Sequence, residues 1–240
     1  MKIIVLAGGL STERDVSLSS AAGICRTLIE KGHDAFLLDV FMGLPYDSDK
    51  LEEVFTLPGH GLEIAKNIAT EEPDLAAIKA SRPDQSDCFL GPNVIELCRM
   101  ADITFIGLHG GEGENGKLQA TFDLLGIKYT GPNSLGCAAA MHKGIAKQIF
   151  LESGIPTPNG VCIHKNKNKK DLTSLGLSLP VVVKPCSGGS SIGVYIVNTE
   201  EEYNEALEKS FRYEDELVIE EYVKGREFAC GIINDKALPP

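Results

Sequence analysis

The segment VVVKPCSGGSSIGV (181–194) has the parts of a phosphate-binding loop. An apolar run delivers Lys184, and a loop follows with Ser187, Gly188, Gly189, Ser190, Ser191 and Gly193. Glycines let backbone approach phosphate oxygens closely and offer N–H donors as an anion nest. The lysine adds a point charge, and the serine hydroxyls add donors. This is not a Walker A loop, because the lysine precedes the glycines and no Gly-Lys-Ser/Thr follows them. The same Gly/Ser cluster would also serve as a plain hairpin turn. A second segment, LVIEEYVKGREF (217–228), reads as a strand ending in a turn at Gly225. Glu220 and the backbone around Glu221, Tyr222 and Val223 have the hydrogen-bonding groups to read a purine edge, and Glu227 those to hold ribose hydroxyls. An edge hairpin with solvated carboxylates is the plainer alternative. Three further polar residues can be singled out. His109 lies in HGGEGENG, after a parallel-type strand. Lys143 lies in the helical run AAAMHKGIAKQ. Glu13 lies at the turn into the first helix, where a carboxylate gains roughly 0.3–1 kcal/mol from the helix dipole. Each has a plain surface reading as well.

The elements that must position these residues follow from the pattern. Residues 2–7 (KIIVLA) fit a strand buried on both faces, turned by Gly8-Gly9. A helix is expected over 15–31, with Val16, Ala21, Ile24, Leu28 and Ile29 inward, Thr12 and Asp15 as a capping box, and Gly32 closing it. Residues 34–40 then give a second strand, and the whole is a βαβ opening. The segment 43–100 has no clear period and reads as an elaborated loop or small subdomain with a helical patch near 92–101. Residues 102–108 form a buried strand, followed by a helix over 115–126 and a short strand to Tyr129. Gly131-Pro132-Asn133 marks a boundary. One helix over 134–153 is expected, carrying Leu135, Ala138, Met141, Ile145, Ile149 and Phe150, with Gly154 stopping it. KNKNKKD (165–171) is a basic surface turn. A buried strand over 179–185 pairs with 193–197 as a hairpin. A helix at 199–209 and strands at 217–223 and 226–233 complete the pattern. Strand residues 3–7, 36–40, 103–108 and 181–183 are expected to be buried.

Composition narrows the partners. The chain has 240 residues and a net charge of 23 − 34 = −11, so nucleic acid and anionic membrane are not expected partners. The seven cysteines are scattered with no C-x-x-C pair, which fits free thiols in a reducing cytoplasm. The first apolar run is too short for a secretory signal, and none approaches membrane-spanning length.

Six stretches in order, LAGGLSTERDVSLSS, FIGLHGGEGENGKLQ, YTGPN, MHK, LPVVVKPCSGGSSIGV and VIEEYVKGREF, resemble the D-alanine–D-alanine ligases of the ATP-grasp superfamily. The resemblance covers the chain except about 43–100. It implies an α/β fold: an N-terminal Rossmann-like parallel-sheet domain (1–131), a central ATP-grasp subdomain of α+β type (132–220), and the start of a further subdomain (221–240). It implies ligation of two D-alanines through an acyl phosphate, for peptidoglycan precursors. Glu13 would bind the ammonium of the first D-alanine, with His109 beside it. Lys143 and Lys184 would contact ATP phosphates, and loop 187–191 would fold over them. Ser190 would help place the second D-alanine. Glu220 and the backbone of Glu221 to Val223 would read adenine, and Glu227 the ribose. The Mg²⁺ ligands of the family lie in a part absent from these 240 residues. The chain alone is therefore expected to bind nucleotide weakly at most and to make no dipeptide. Relatives are commonly dimers through the first domain, so a homodimer is expected. D-alanyl-D-lactate or D-alanyl-D-serine ligases, other ATP-grasp carboxylate–amine ligases, and a non-catalytic nucleotide-binding fragment are the alternative readings.

Overall fold

The computed structural model describes every residue except 58, 66, 70, 71, 167–170 and 190. Ser190 and most of the basic turn 165–171 therefore lie outside the described residues. The chain forms two compact units, Met1–Ala146 with Ser187–Ile192, and Lys147–Cys186 with Gly193–Pro240.

In the first unit, β1 (Lys2–Ala7) leads through Gly8 and Gly9, at φ +73° and +80°, into α1 (Arg14–Glu30) and then β2 (Asp34–Asp39). The strands pair in parallel from Lys2↔Asp34 to Ala7↔Asp39. Gly32, at φ +82°, ends α1 as a Schellman turn: its N–H donates to Ile29 O, and His33 N–H donates to Leu28 O. The N-terminus departs from expectation. The first helical cap position is Glu13, without a side-chain cap, and no Thr12–Asp15 box forms. Ser11 does that work instead, accepting Arg14 N–H at its carbonyl and Glu13 N–H at its hydroxyl. The inward face is also shifted, to Arg14, Ser17, Leu18, Ala21, Ala22 and Cys25. Small and polar side chains let α1 sit close to the sheet, so Val16, Ile24, Leu28 and Ile29 are only half-buried.

The segment 43–100 holds 3-10 turns at Ser48–Thr56 and Leu62–Ile64, then α2 (Leu75–Ser81) and α3 (Val94–Met100). Arg82 ties it down: it is 2% exposed, donates to Leu90 O and the Asp84 carboxylate, and stacks over Phe41 at 4.8 Å. The third strand, β3 (Ile103–Ile106), pairs in parallel with β1 on its other side, giving the order β2-β1-β3. Its Ile103, Phe105 and Ile106 are half-buried, short of full burial across 103–108. The expected strand at Tyr129 is a single parallel bridge to Thr104. A short α4 (Gly111–Glu114) precedes α5 (Lys117–Leu125).

The expected helix over 134–153 is two helices, α6 (Ser134–Met141) and α7 (Lys143–Glu152). His142 breaks it with an extended ψ of 97°, and its Nδ1 accepts the N–H of Ile145, capping α7. Of the apolar residues on these helices, Leu135, Ile145, Ile149 and Phe150 are exposed, while Cys137 and Lys147 are buried.

The second unit is an antiparallel sheet of order β4-β7-β5-β6, made of β4 (Gly160–His164), β5 (Val181–Pro185), β6 (Tyr195–Val197) and β7 (Glu216–Glu221), with α8 (Glu200–Ser210) packed on it. Sequence reading missed β4, although Val161 and Ile163 alternate with Cys162 and His164. The 181–197 hairpin forms as expected, with Val181↔Val197. Thr199 caps α8 by accepting Glu202 N–H at 3.2 Å, and three acids follow in the first turn. Strand 217–223 is Glu216–Glu221. Strand 226–233 does not form. Only β8 (Ile232–Ile233) and β9 (Lys236–Ala237) pair, around Asn234 and Asp235 at φ +48° and +61°, so the chain turns back too soon for a longer strand.

Strand β5 also corrects the burial expectation. Val181 and Val183 are fully buried among Tyr203, Leu207, Phe211 and Ile219, whereas Val182 faces the other side of the sheet and is half-buried. Val183→Ala should therefore cost about 1–3 kcal/mol through lost burial and an unfilled cavity, and Val182→Ala less. Urea midpoints of the two variants check this, and equal midpoints would contradict it.

Candidate functional site

Within the first unit, a buried ion pair builds the turn that carries Glu13. Arg14 and Asp39 are 6% and 4% exposed. Arg14 Nη2 donates to Asp39 Oδ2, and Arg14 Nη1 donates to Gly9 O at 2.7 Å. Asp39 Oδ1 also accepts the N–H groups of Phe41 and Met42 at 2.9 and 3.1 Å. Ser17 Oγ accepts Gly8 N–H at 3.0 Å and donates to Gly107 O at 2.7 Å, so it joins the ends of β1 and β3. Sequence reasoning missed Arg14, Ser17 and Asp39. The available signal was Asp39 at the carboxyl end of a parallel strand, where ligand sites form.

From this base the candidate residues converge. Ser11 Oγ donates to His109 O at 2.6 Å, and His109 Nε2 lies 3.1 Å from Ser20 Oγ. Glu13 runs close to the backbone at two glycines. A Cβ placed on Gly110 would lie 2.9 Å from Glu13 Oε2, and one on Gly189 would lie 3.2 Å from it. Lys143 Nζ donates to Gly188 O at 2.7 Å. Glu13, His109, Lys143, Gly188 and Gly189 are therefore brought together. Gly188, at φ +89°, has open space where a side chain would stand. Ser191 is exposed at φ +60°, and Ser187 is half-buried. A cavity of about 540 Å³ adjoins them, lined by Leu108, Glu114, Gln119, Cys137, Met141 and Lys143 among others.

The second unit holds the other half of the predicted set. Glu220, 7% exposed, lies between two lysines. Its Oε2 pairs with Lys147 Nζ at 2.9 Å, and its Oε1 pairs with Lys184 Nζ. Burial raises the Glu220 pKa, but the hydrogen bonds and charges of Lys184 and Lys147 outweigh it and hold the carboxyl below its ordinary value. Lys147, which also donates to Thr157 Oγ1 and Pro158 O, was not foreseen. Its signal is weak: a buried lysine at an inward helical position. Glu221 N–H donates to Asn159 O at 2.8 Å, and Tyr222 N–H to Pro180 O at 3.1 Å. Tyr222, Val223 and Glu227 are exposed. Chemically, this unit offers two cations held around one anion, and the first offers a carboxylate beside a glycine loop.

Among the described residues no helix is long and apolar enough to cross a membrane. Comparison with known proteins is consistent along the chain. Residues 2–132 match the family described as D-ala D-ala ligase N-terminus, and 149–239 match D-ala D-ala ligase C-terminus. The chain is 42% identical over 239 residues to a D-alanine–D-alanine ligase of Lacticaseibacillus casei, spanning 99% of this chain and 65% of that protein. It is 44% identical over 242 residues to one of Pediococcus pentosaceus, spanning 67% of that protein. Among solved structures it resembles the Bacillus anthracis D-alanine–D-alanine ligase, at TM-score 0.70 and 31% identity, over 100% of this chain and 63% of that one. A structure of that ligase complexed with ATP matches at TM-score 0.69 and 29% identity.

Proposed function

Because the chain belongs to the D-alanine–D-alanine ligase family and has its α/β, ATP-grasp fold, we propose that it serves the ATP-dependent joining of two D-alanines. The observation that carries this reading is the convergence of Glu13 with the His109–Gly110 turn and with Gly188 and Gly189, where Lys143 is anchored. A carboxylate that can hold an ammonium stands beside a loop that can hold phosphate. A carboxylate-activating ligase needs this pairing.

ATP fits the residues present. Gly188 leaves the backbone open to a phosphate, and Lys143 and Lys184 supply cations. When bound, ATP supplies the phosphoryl group that turns the first carboxylate into an acyl phosphate, which the second amine then attacks. The chain's own residues bind and orient. Glu13 holds the ammonium of the first D-alanine, and His109 flanks it. Lys143, Lys184, Ser187, Gly188, Gly189, Ser190 and Ser191 hold phosphates, and Ser190 also places the second amino acid. Glu220 sets the position of Lys184 and faces the purine with the backbone of Glu221, Tyr222 and Val223. Glu227 holds the ribose. Positioning and charge, with no covalent nucleophile, lower the barrier.

Among the described residues no three carboxylates converge, so the residues present do not form a carboxylate cage for Mg²⁺. The same reading places the reaction in the cytoplasm, in peptidoglycan precursor synthesis, on a chain divided at 131 and 220. It also gives a homodimer, which light scattering would report as twice 25.8 kDa.

The chain spans 65% of the first relative's length. We propose that the 240 residues alone hold nucleotide without turnover. Incubation with ATP, Mg²⁺ and D-alanine should give no D-alanyl-D-alanine by mass spectrometry, whereas the chain extended to its relatives' length should give it, and Glu13→Gln in that extended chain should not. Dipeptide from the 240 residues, or an active Glu13→Gln, would overturn the respective part.

A further inference from the structure

Cys162 on β4 and Cys186, the residue after β5, bring their sulfurs within 3.1 Å of each other. Their strands do not pair. β7 runs between them, with Cys162 opposite Val218, and Cys186 N–H donating to Glu216 O. The two side chains therefore lean over β7 from opposite sides. Two strand spacings separate the backbones by on the order of 9 Å. A disulfide needs Cα atoms roughly 4.4–6.8 Å apart, so closing one would disrupt the β7 ladder. A shared cation asks for less. Sulfur–zinc bonds of about 2.3 Å hold two sulfurs roughly 3.8 Å apart in a tetrahedral site, which small side-chain rotations reach.

We propose that Cys162 and Cys186 form a two-thiolate site for a soft divalent cation of the Zn²⁺ or Cd²⁺ class. Further ligand types stand on the same face of the sheet. A Glu216 carboxylate oxygen lies within 4.8 Å of Cys186 Sγ, and His164 is directly opposite Glu216 in the register. Cys162 is exposed, which gives the ion a way in, while Cys186 is buried, which shields the bonds formed. The chemistry is ligand exchange. Two S–H bonds are lost, their protons go to solvent, and two sulfur–metal bonds form with no change of oxidation state. Binding therefore tightens as pH rises. The register also puts Lys184 on this face, since Cys162 and Lys184 both oppose Val218.

The test titrates Cd²⁺ into the reduced 240-residue chain, with the exposed Cys88 and Cys230 replaced by Ser, and follows the ultraviolet thiolate-to-cadmium absorption. One equivalent should saturate the band. Cys162→Ser, at an exposed position, should keep the thermal midpoint and weaken binding at least tenfold; Cys186→Ser should do the same where it folds. No saturable band, or a band unchanged in Cys162→Ser, would overturn the proposal. So would rapid, quantitative formation of a Cys162–Cys186 disulfide in oxidised glutathione, because it would show that the strands approach more closely than the ladder allows.

Discussion

Glu220→Gln is expected to destabilise the second unit by about 3–5 kcal/mol, the usual cost of removing one partner from a buried ion cluster. Lys147 has a side chain only 6% exposed and would be left charged with one neutral amide in place of its carboxylate, while Lys184, at 22%, recovers part of its hydration. The size of the effect comes from the stranded charge, more than from the pair's net worth. Acid should show the same group. Glu220's pKa in the folded state lies below its ordinary value of 4.5. Its stabilisation is therefore full above the ordinary carboxylate range and is lost as pH falls through the lowered folded pKa. Wild-type unfolding midpoints should drop over that window, and the Glu220→Gln chain should lack this component. Guanidinium unfolding at several pH values checks both, and a neutral-pH loss under about 1 kcal/mol would contradict the account.

Asp39→Ala should be comparably severe in the first unit, again about 3–5 kcal/mol. It strands the buried Arg14 guanidinium and removes the acceptor of the Phe41 and Met42 N–H groups. The damage extends to the candidate site. Arg14 holds Gly9 O and follows Glu13 directly, so loss of the pair frees the turn that presents that carboxylate. Ser17→Ala, which removes only the Gly8 and Gly107 contacts, should cost about 1–3 kcal/mol. Thermal denaturation of the two variants should rank Asp39→Ala well below Ser17→Ala. The reverse order would show that the serine, and not the ion pair, secures the turn.

The legible parts of this chain are those where one residue type has one physical job. The apolar run at 3–7, and the run at 36–40 interrupted only by Asp39, fit doubly covered strands, and both are buried. Glycine at 8, 9, 32 and 188 marks left-handed backbone, and the structure has it there. The failures have equally definite causes. Three consecutive valines at 181–183 carry no alternation, so the half-burial of Val182 leaves no trace in sequence. His142 breaks a helix without glycine or proline, through a capping bond to Ile145 that composition does not announce. The ion cluster around Glu220 has no sequence signal, because Lys147 and Lys184 reach it only through tertiary structure. The segment 43–100 has short turns and helices anchored by single side chains such as Arg82, which no hydrophobic period encodes. Glu13, His109 and Lys143 were named from the resemblance of ordered motifs, and the structure brings them near Gly188 and Gly189. Arg14, Asp39 and Lys147 support the site from buried positions and were not named.

The most direct measurement is a calorimetric titration of ATP with Mg²⁺ into the 240-residue chain, beside Lys184→Ala. The account predicts saturable binding, weakened about 10–100-fold in the variant by loss of a charged hydrogen bond. Binding of equal strength in Lys184→Ala, at an unchanged thermal midpoint, would contradict it.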